Sequence, residues 1–127
     1  MYRKLKNEPY EQYLKFYRKN GKQIKYLPWY ASWEILKKHF PNSSYEWVKG
    51  NFDGRDTAGV YNPDGSWIIH CKITIEHKGV KYIHNEYMHN DNIKEDGSYV
   101  FLEYAFRKTL SKGISMMTGF GLEHWNK

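Results

Sequence analysis

The sequence predicts an α+β fold in which an antiparallel β-hairpin sheet packs against one long C-terminal helix, with further helices at the N-terminal side. Three observations carry this reading. Residues 66–77 alternate apolar and polar side chains over a full strand and turn at Lys78-Gly79 into a second strand. Residues 98–121 repeat apolar side chains three and four apart and end at glycines. The strands are grouped together and are followed by a helix that must cover one face of their sheet.

At 127 residues the chain has the length of one domain, read as a basic N-terminal helical extension (1–25) joined to a core (26–121). Hydrophobic residues make up 40%, too many for a disordered polyelectrolyte. The formal net charge of +6 favours a polyanionic partner. Twelve tyrosines and five tryptophans exceed what a core of this size needs. Surplus aromatics among surplus cations fit both nucleic-acid stacking and a tyrosine-rich oligomer interface. The single cysteine, Cys71, excludes an internal disulfide and a cysteine zinc site. The absence of a membrane-length apolar run and of a secretion leader points to an intracellular protein.

Taken in order, residues 1–6 form a short basic lead expected to be mobile. Asn7 is placed to cap a helix entered through Glu8-Pro9, running to Lys19 and stopped by Asn20-Gly21; Tyr10, Tyr13, Leu14 and Tyr17 form its stripe. The cations from Lys15 to Lys25 read either as a solvated face or as an anion-binding one. A second helix opens at Pro28 and leaves at Pro41, with Trp29, Trp33, Leu36 and Phe40 on its apolar face. Two tryptophans one turn apart are a core feature before they are a stacking platform. Residues 45–49 read as a strand and 50–59 as a loop, and Asn62-Pro63-Asp64-Gly65 is a turn.

The strand from Ser66 to His77 sets Trp67, Ile69, Cys71, Ile73 and Ile75 on a buried face against the long helix. The opposite face offers His70 and Lys72, joined by Lys81 from the partner strand Val80–Met88. Residues 89–97 form a polar connection. Ser98 then caps the long helix, whose buried stripe is Leu102, Phe106, Leu110, Ile114 and Met117. Arg107, Lys108 and Lys112, with Ser111 between them, form a cationic stripe on the same helix, and no acidic residue follows Glu103 within it. Macrodipole compensation needs only one or two such cations, so the stripe reads as an anion-binding surface.

Catalytic chemistry is sparse. His84, His89, Asn90 and Asp91 are the nearest approach to a nuclease or metal site, but no His-Glu-x-x-His, cysteine pair or carboxylate ladder accompanies them, and a polar surface is the plainer reading. No phosphate-binding P-loop is present, so ATP use is not expected. The chain reads as a non-enzyme with no metal and no cofactor.

Three pieces in order resemble a known family. They are Tyr26-Leu27-Pro28-Trp29 with Trp33 and Phe40-Pro41; the hairpin leading to Met88 and Asn90-Asp91-Asn92; and Ala105-Phe106-Arg107-Lys108-Thr109-Leu110-Ser111-Lys112-Gly113 ending in Gly119-Phe120-Gly121. Residues 26–121 are thereby similar to the phage single-strand annealing proteins of the Sak-three type, within the superfamily of the eukaryotic Rad fifty-two recombination mediator. The resemblance implies a Rad fifty-two-like core, homo-oligomeric rings or arcs, and ATP-independent annealing of single-stranded DNA in phage recombination and repair. It places the protein in the cytoplasm of an infected bacterial host and implies a groove lined by the sheet and by the helix cations Arg107, Lys108 and Lys112. A single-strand binding protein is its candidate protein partner, although such chains usually continue past the Gly-x-Gly and this one reads on only to Lys127. Two other classes stay open: a nucleic-acid-binding module that never anneals, and a protein-interaction module using the tyrosine surface.

Overall fold

A computed structural model describes residues 4–52, 54–57, 60–61, 67–90 and 99–125. Its first departure from expectation is at the N-terminus. Among the described residues before Lys15, only Glu11–Tyr13 is helical, as one 3-10 turn. The chain then forms β1 (Lys15–Lys19) and β2 (Lys22–Tyr26), paired antiparallel with Lys19 opposite Lys22. Asn20 (φ 53°) and Gly21 (φ 77°) both take left-handed backbone, the geometry of a two-residue hairpin turn that favours Asn-Gly. The dipeptide expected to stop a helix therefore reverses a ribbon. Nor is the basic lead loose throughout: Leu5 is buried and donates its N–H to Thr118 O at 2.8 Å.

α1 (Trp29–His39) matches the sequence reading. Ala31, Ser32, Ile35, Leu36 and Phe40 are buried, and Trp29 and Trp33 pack half-buried against the core. Phe40 N–H closes the last turn on Leu36 O at 2.7 Å, and Lys37 Nζ donates to Pro41 O and Ser43 O beyond it.

β3 (Asn42–Val48) starts three residues earlier than the sequence suggests. Part of the following segment, read as loop, is instead a small ladder of β4 (Gly50–Phe52) and β5 (Arg55–Thr57). β6 (Val60–Tyr61) precedes β7 (Trp67–His77), which pairs with β8 (Val80–Asn90) through a turn at Lys78 (φ 52°) and Gly79 (φ 76°). The Asn62–Gly65 turn and Ser98, the expected cap, lie outside the described residues, as do Asp91 and Asn92.

β7 is the centre of the sheet. β8 pairs along its whole length, while β3 pairs with residues 70–76 and β6 with residues 67–68. Ile69, Cys71, Ile73 and Ile75 are fully buried, as the alternation requires. The side chain of Trp67 lies outside the description.

They pack under α2 (Tyr99–Thr118), which is followed by Gly119 (φ 86°) and α3 (Leu122–Trp125). α2 lies between the sheet and α1, so its second half is buried on almost every side. Phe106, Leu110, Ile114 and Met117 are buried as expected, but so are Thr109, Ser111, Ser115 and Thr118. Thr109 and Thr118 satisfy their hydroxyls by donating to the carbonyls four residues earlier, each at 2.7 Å. Small side chains permit this closeness. A Cβ on Gly113 would stand 2.7 Å from Ile73 Cδ1 and 3.1 Å from Glu86 Cβ.

Candidate nucleic-acid interface

The sheet divides the sequence-predicted site residues into two groups. Neighbouring strand residues point to opposite faces, and Ile73 packs under α2, so Lys72 and its alternates face away from the helix. On that outer face His70 is stacked on Tyr87, its ring centroid 4.4 Å away, and its Nε2 lies 2.8 Å from Asn85 Oδ1. Lys72 is half-buried beside it. Lys81 is exposed, and its Nζ is 3.9 Å from Glu76 Oε1, a surface pair worth about 0–1 kcal/mol. This face does not meet the helix cations within one chain.

The helix group is itself split. Arg107 and Lys108 are exposed. Lys112, one turn on from Lys108, is half-buried and does not join them at the cleft described below. Ser111 does not lie in a surface stripe. It is 1% exposed, its Oγ is 3.1 Å from Ser32 Oγ, and it donates to Leu27 O at 3.4 Å. The packing of α1 on α2 accounts for this, because a serine pair lets the two helices approach and satisfies both hydroxyls.

Arg107 and Lys108 border a cleft of about 510 Å³ between the β1–β2 ribbon, the start of α1, and α3. The ribbon contributes Tyr17, Ile24, Lys25 and Tyr26, and α1 contributes Trp29 and Tyr30. The Arg107 guanidinium sits over the Trp29 ring, 5.3 Å from its centroid. Such a contact holds a cation against an aromatic face and is worth about 0.5–1 kcal/mol at exposed sites. His124 and Trp125 of α3 close the remaining side. No acidic residue is among the described residues lining the cleft, whereas Lys25, Arg107 and Lys108 are. The cleft is aromatic inside and positive at its border.

Of the residues bordering this cleft, the sequence reading singled out Arg107 and Lys108 as candidates and did not single out Tyr17, Lys25, Tyr26, Tyr30, His124 or Trp125. For the ribbon residues the signal was Asn20-Gly21. Once that pair is read as a hairpin turn, Tyr17 and Ile24 become cross-strand neighbours, and Tyr26 follows on the same face. Trp29 has both roles, packed on the core and open to the cleft.

Other chemistry is thin among the described residues. They include no group of three or more His, Cys, Asp and Glu placed to hold a metal ion. No described helix is long and apolar enough to cross a membrane. Cys71 is buried, and burial, reinforced by the nearby Glu86 carboxylate, pushes its thiol up to about 12. It is a core side chain, not a nucleophile.

A family model described as Sak single strand annealing protein matches residues 13–126. No curated protein and no solved structure matches the chain. The matched span begins before β1, so it includes the ribbon that the resemblance read from residues 26–121 left out. Ribbon, cleft, sheet and long helix all fall within one match covering nearly the whole sequence, and the chain belongs to the Sak single strand annealing protein family.

Proposed function

We propose that the protein binds single-stranded DNA without ATP and anneals complementary strands as one subunit of an oligomer, in phage-type recombination. The observation that carries this reading is the cleft, where aromatic rings and cations converge with no described carboxylate among them. Cations supply sequence-independent attachment, because phosphate contacts release counterions. Rings hold unstacked bases, at about 1–3 kcal/mol per base. Annealing demands weak attachment repeated along the strand, so that two strands can exchange partners while held. Side-by-side subunits meet that demand by multiplying single-site affinity.

Self-association has its own support. Among the described residues β8 pairs only with β7, so its other edge is open. Ile83 and Tyr87 on β8 are both more than half exposed, on the sheet face opposite α2.

The test is an annealing assay with two complementary fluorescent oligonucleotides, nucleotide-free, at two salt concentrations, with light scattering on the same samples. The expected result is faster annealing than the spontaneous reaction at low salt, by a species larger than a monomer. Binding without acceleration reduces the protein to a passive nucleic-acid-binding module. A strict monomer with and without DNA removes the oligomer.

A further inference from the structure

We propose that the cleft is a nucleobase site, which draws one or two unpaired bases of single-stranded DNA between the ribbon and α1. This deepens the reading above and rests on it. A track that grips only phosphates needs cations; it does not need rings left open. Yet Tyr17, Tyr26 and Tyr30 are 39%, 38% and 47% exposed, and all three border this one space. Tyr17 and Tyr26 meet edge to face with centroids 5.6 Å apart, and Trp29 and Tyr30 meet similarly at 6.3 Å. Edge-to-face pairing fixes ring directions and leaves ring faces available. Arg107 over the Trp29 ring brings a positive charge to the cleft. Lys108, exposed at the cleft border, can meet a phosphate beside a captured base, whereas the Lys25 ammonium reaches over Phe16, 5.8 Å from its ring centroid.

Size and charge choose the occupant. About 510 Å³ lies in the usual range for a small-molecule pocket, roughly 300–1,000 Å³. A lone phosphate would leave most of that volume empty, and a paired base has both faces occupied by its neighbours in the stack. An unpaired nucleotide fits both the aromatic interior and the cationic border. The cleft thus distinguishes single strands from duplex by what a base can offer. Bases it holds are withheld from pairing, so complementarity is sampled by the nucleotides between clefts, and annealing releases the captured ones.

The experiment compares two labelled strands of equal length binding to the full chain: an oligothymidine, and the same backbone carrying abasic residues throughout. Stacking of even one base predicts about tenfold weaker binding of the abasic strand. Tyr17→Ala and Tyr30→Ala, both at exposed rings, are expected to melt like the parent, weaken oligothymidine binding and leave abasic binding unchanged. Equal affinity of the parent for the two strands overturns the base site but leaves single-strand binding standing. A preference for oligothymidine that survives both substitutions undiminished places the bases elsewhere and also overturns it. Failure of the parent to bind either strand at low salt overturns the single-strand reading itself.

Discussion

At Gly113 one missing carbon sets how closely the long helix lies on the sheet. Alanine there would favour the helix by about 0.5–1 kcal/mol, but its Cβ would stand 2.7 Å from Ile73 Cδ1. Overpacking of this kind costs about 1–3 kcal/mol, so Gly113→Ala is expected to lower the urea midpoint. Adding Ile73→Val removes the offending methyl, and the double variant should be more stable than the sum of its parts. Strict additivity would mean that the two sites do not touch. One residue along from Lys72, the Cys71 thiol gives a pH signature. Raised to about 12 in the fold and near 8.5 when unfolded, it contributes stability that is complete below pH 8.5 and is lost as pH rises toward 12. Cys71→Ala should therefore lose stability less steeply than the parent across that window, by up to about 1.4 kcal/mol per pH unit. Urea midpoints at pH 8, 9.5 and 10.5 measure the difference. The burial of Cys71 was legible as a period of two. That of Ser111 was not, because nothing in its own helix announces the second helix packed beside it.

The elements were legible where a single period prevailed. β7, α1 and α2 each carry one such pattern, and they form; β8 carries none, with His84 and Glu86 on its inner side, and follows from the Lys78-Gly79 turn. Residues 10–17 satisfy a helical period as well, yet Asn20-Gly21 tolerates the left-handed backbone of a two-residue turn, and the ribbon forms instead. Periodicity alone could not arbitrate, because the ribbon buries almost nothing: of its ten strand residues only Ile24 is less than exposed. An element held by its turn and its ladder should fail by itself. Gly21 has φ 77° and open space around a would-be Cβ, so alanine there carries only the left-handed penalty of about 1–2 kcal/mol. Ribbon amides should exchange faster by about fivefold or more while the global unfolding free energy from urea titration stays within about 0.5 kcal/mol of the parent. Gly121 is the contrast. It has φ 66°, and its would-be Cβ lies 2.7 Å from Leu27 Cδ2, so Gly121→Ala should lower the midpoint of the whole molecule. If both variants shift only ribbon exchange, Gly121 is not part of the core seam.

At the scale of the whole molecule, the sheet separates two groups of candidate site residues that the sequence presents as one set. Arg107 and Lys108 stand at the cleft, while His70, Lys72 and Lys81 stand beyond the sheet on the face away from α2. Their sequence positions carry no trace of this, since which side of a strand becomes outer depends on what packs on the other. A single strand following the cleft of one subunit therefore meets the helix group and not the sheet group. Each cation that contacts a phosphate on single-stranded DNA adds roughly 0.7 to the slope of log K against log salt. Arg107→Ala and Lys108→Ala should each lower that slope by about this amount and weaken binding alike for all sequences. Lys72→Ala and Lys81→Ala should leave it unchanged. Titrations from 50 to 300 mM salt on variants that melt like the parent decide the matter. The opposite pattern, with the slope falling only for Lys72→Ala and Lys81→Ala, would move the DNA to the outer sheet face. A reduced slope for all four would mean that neighbouring subunits bring the two faces together on one strand, the arrangement a continuous track through an oligomer requires.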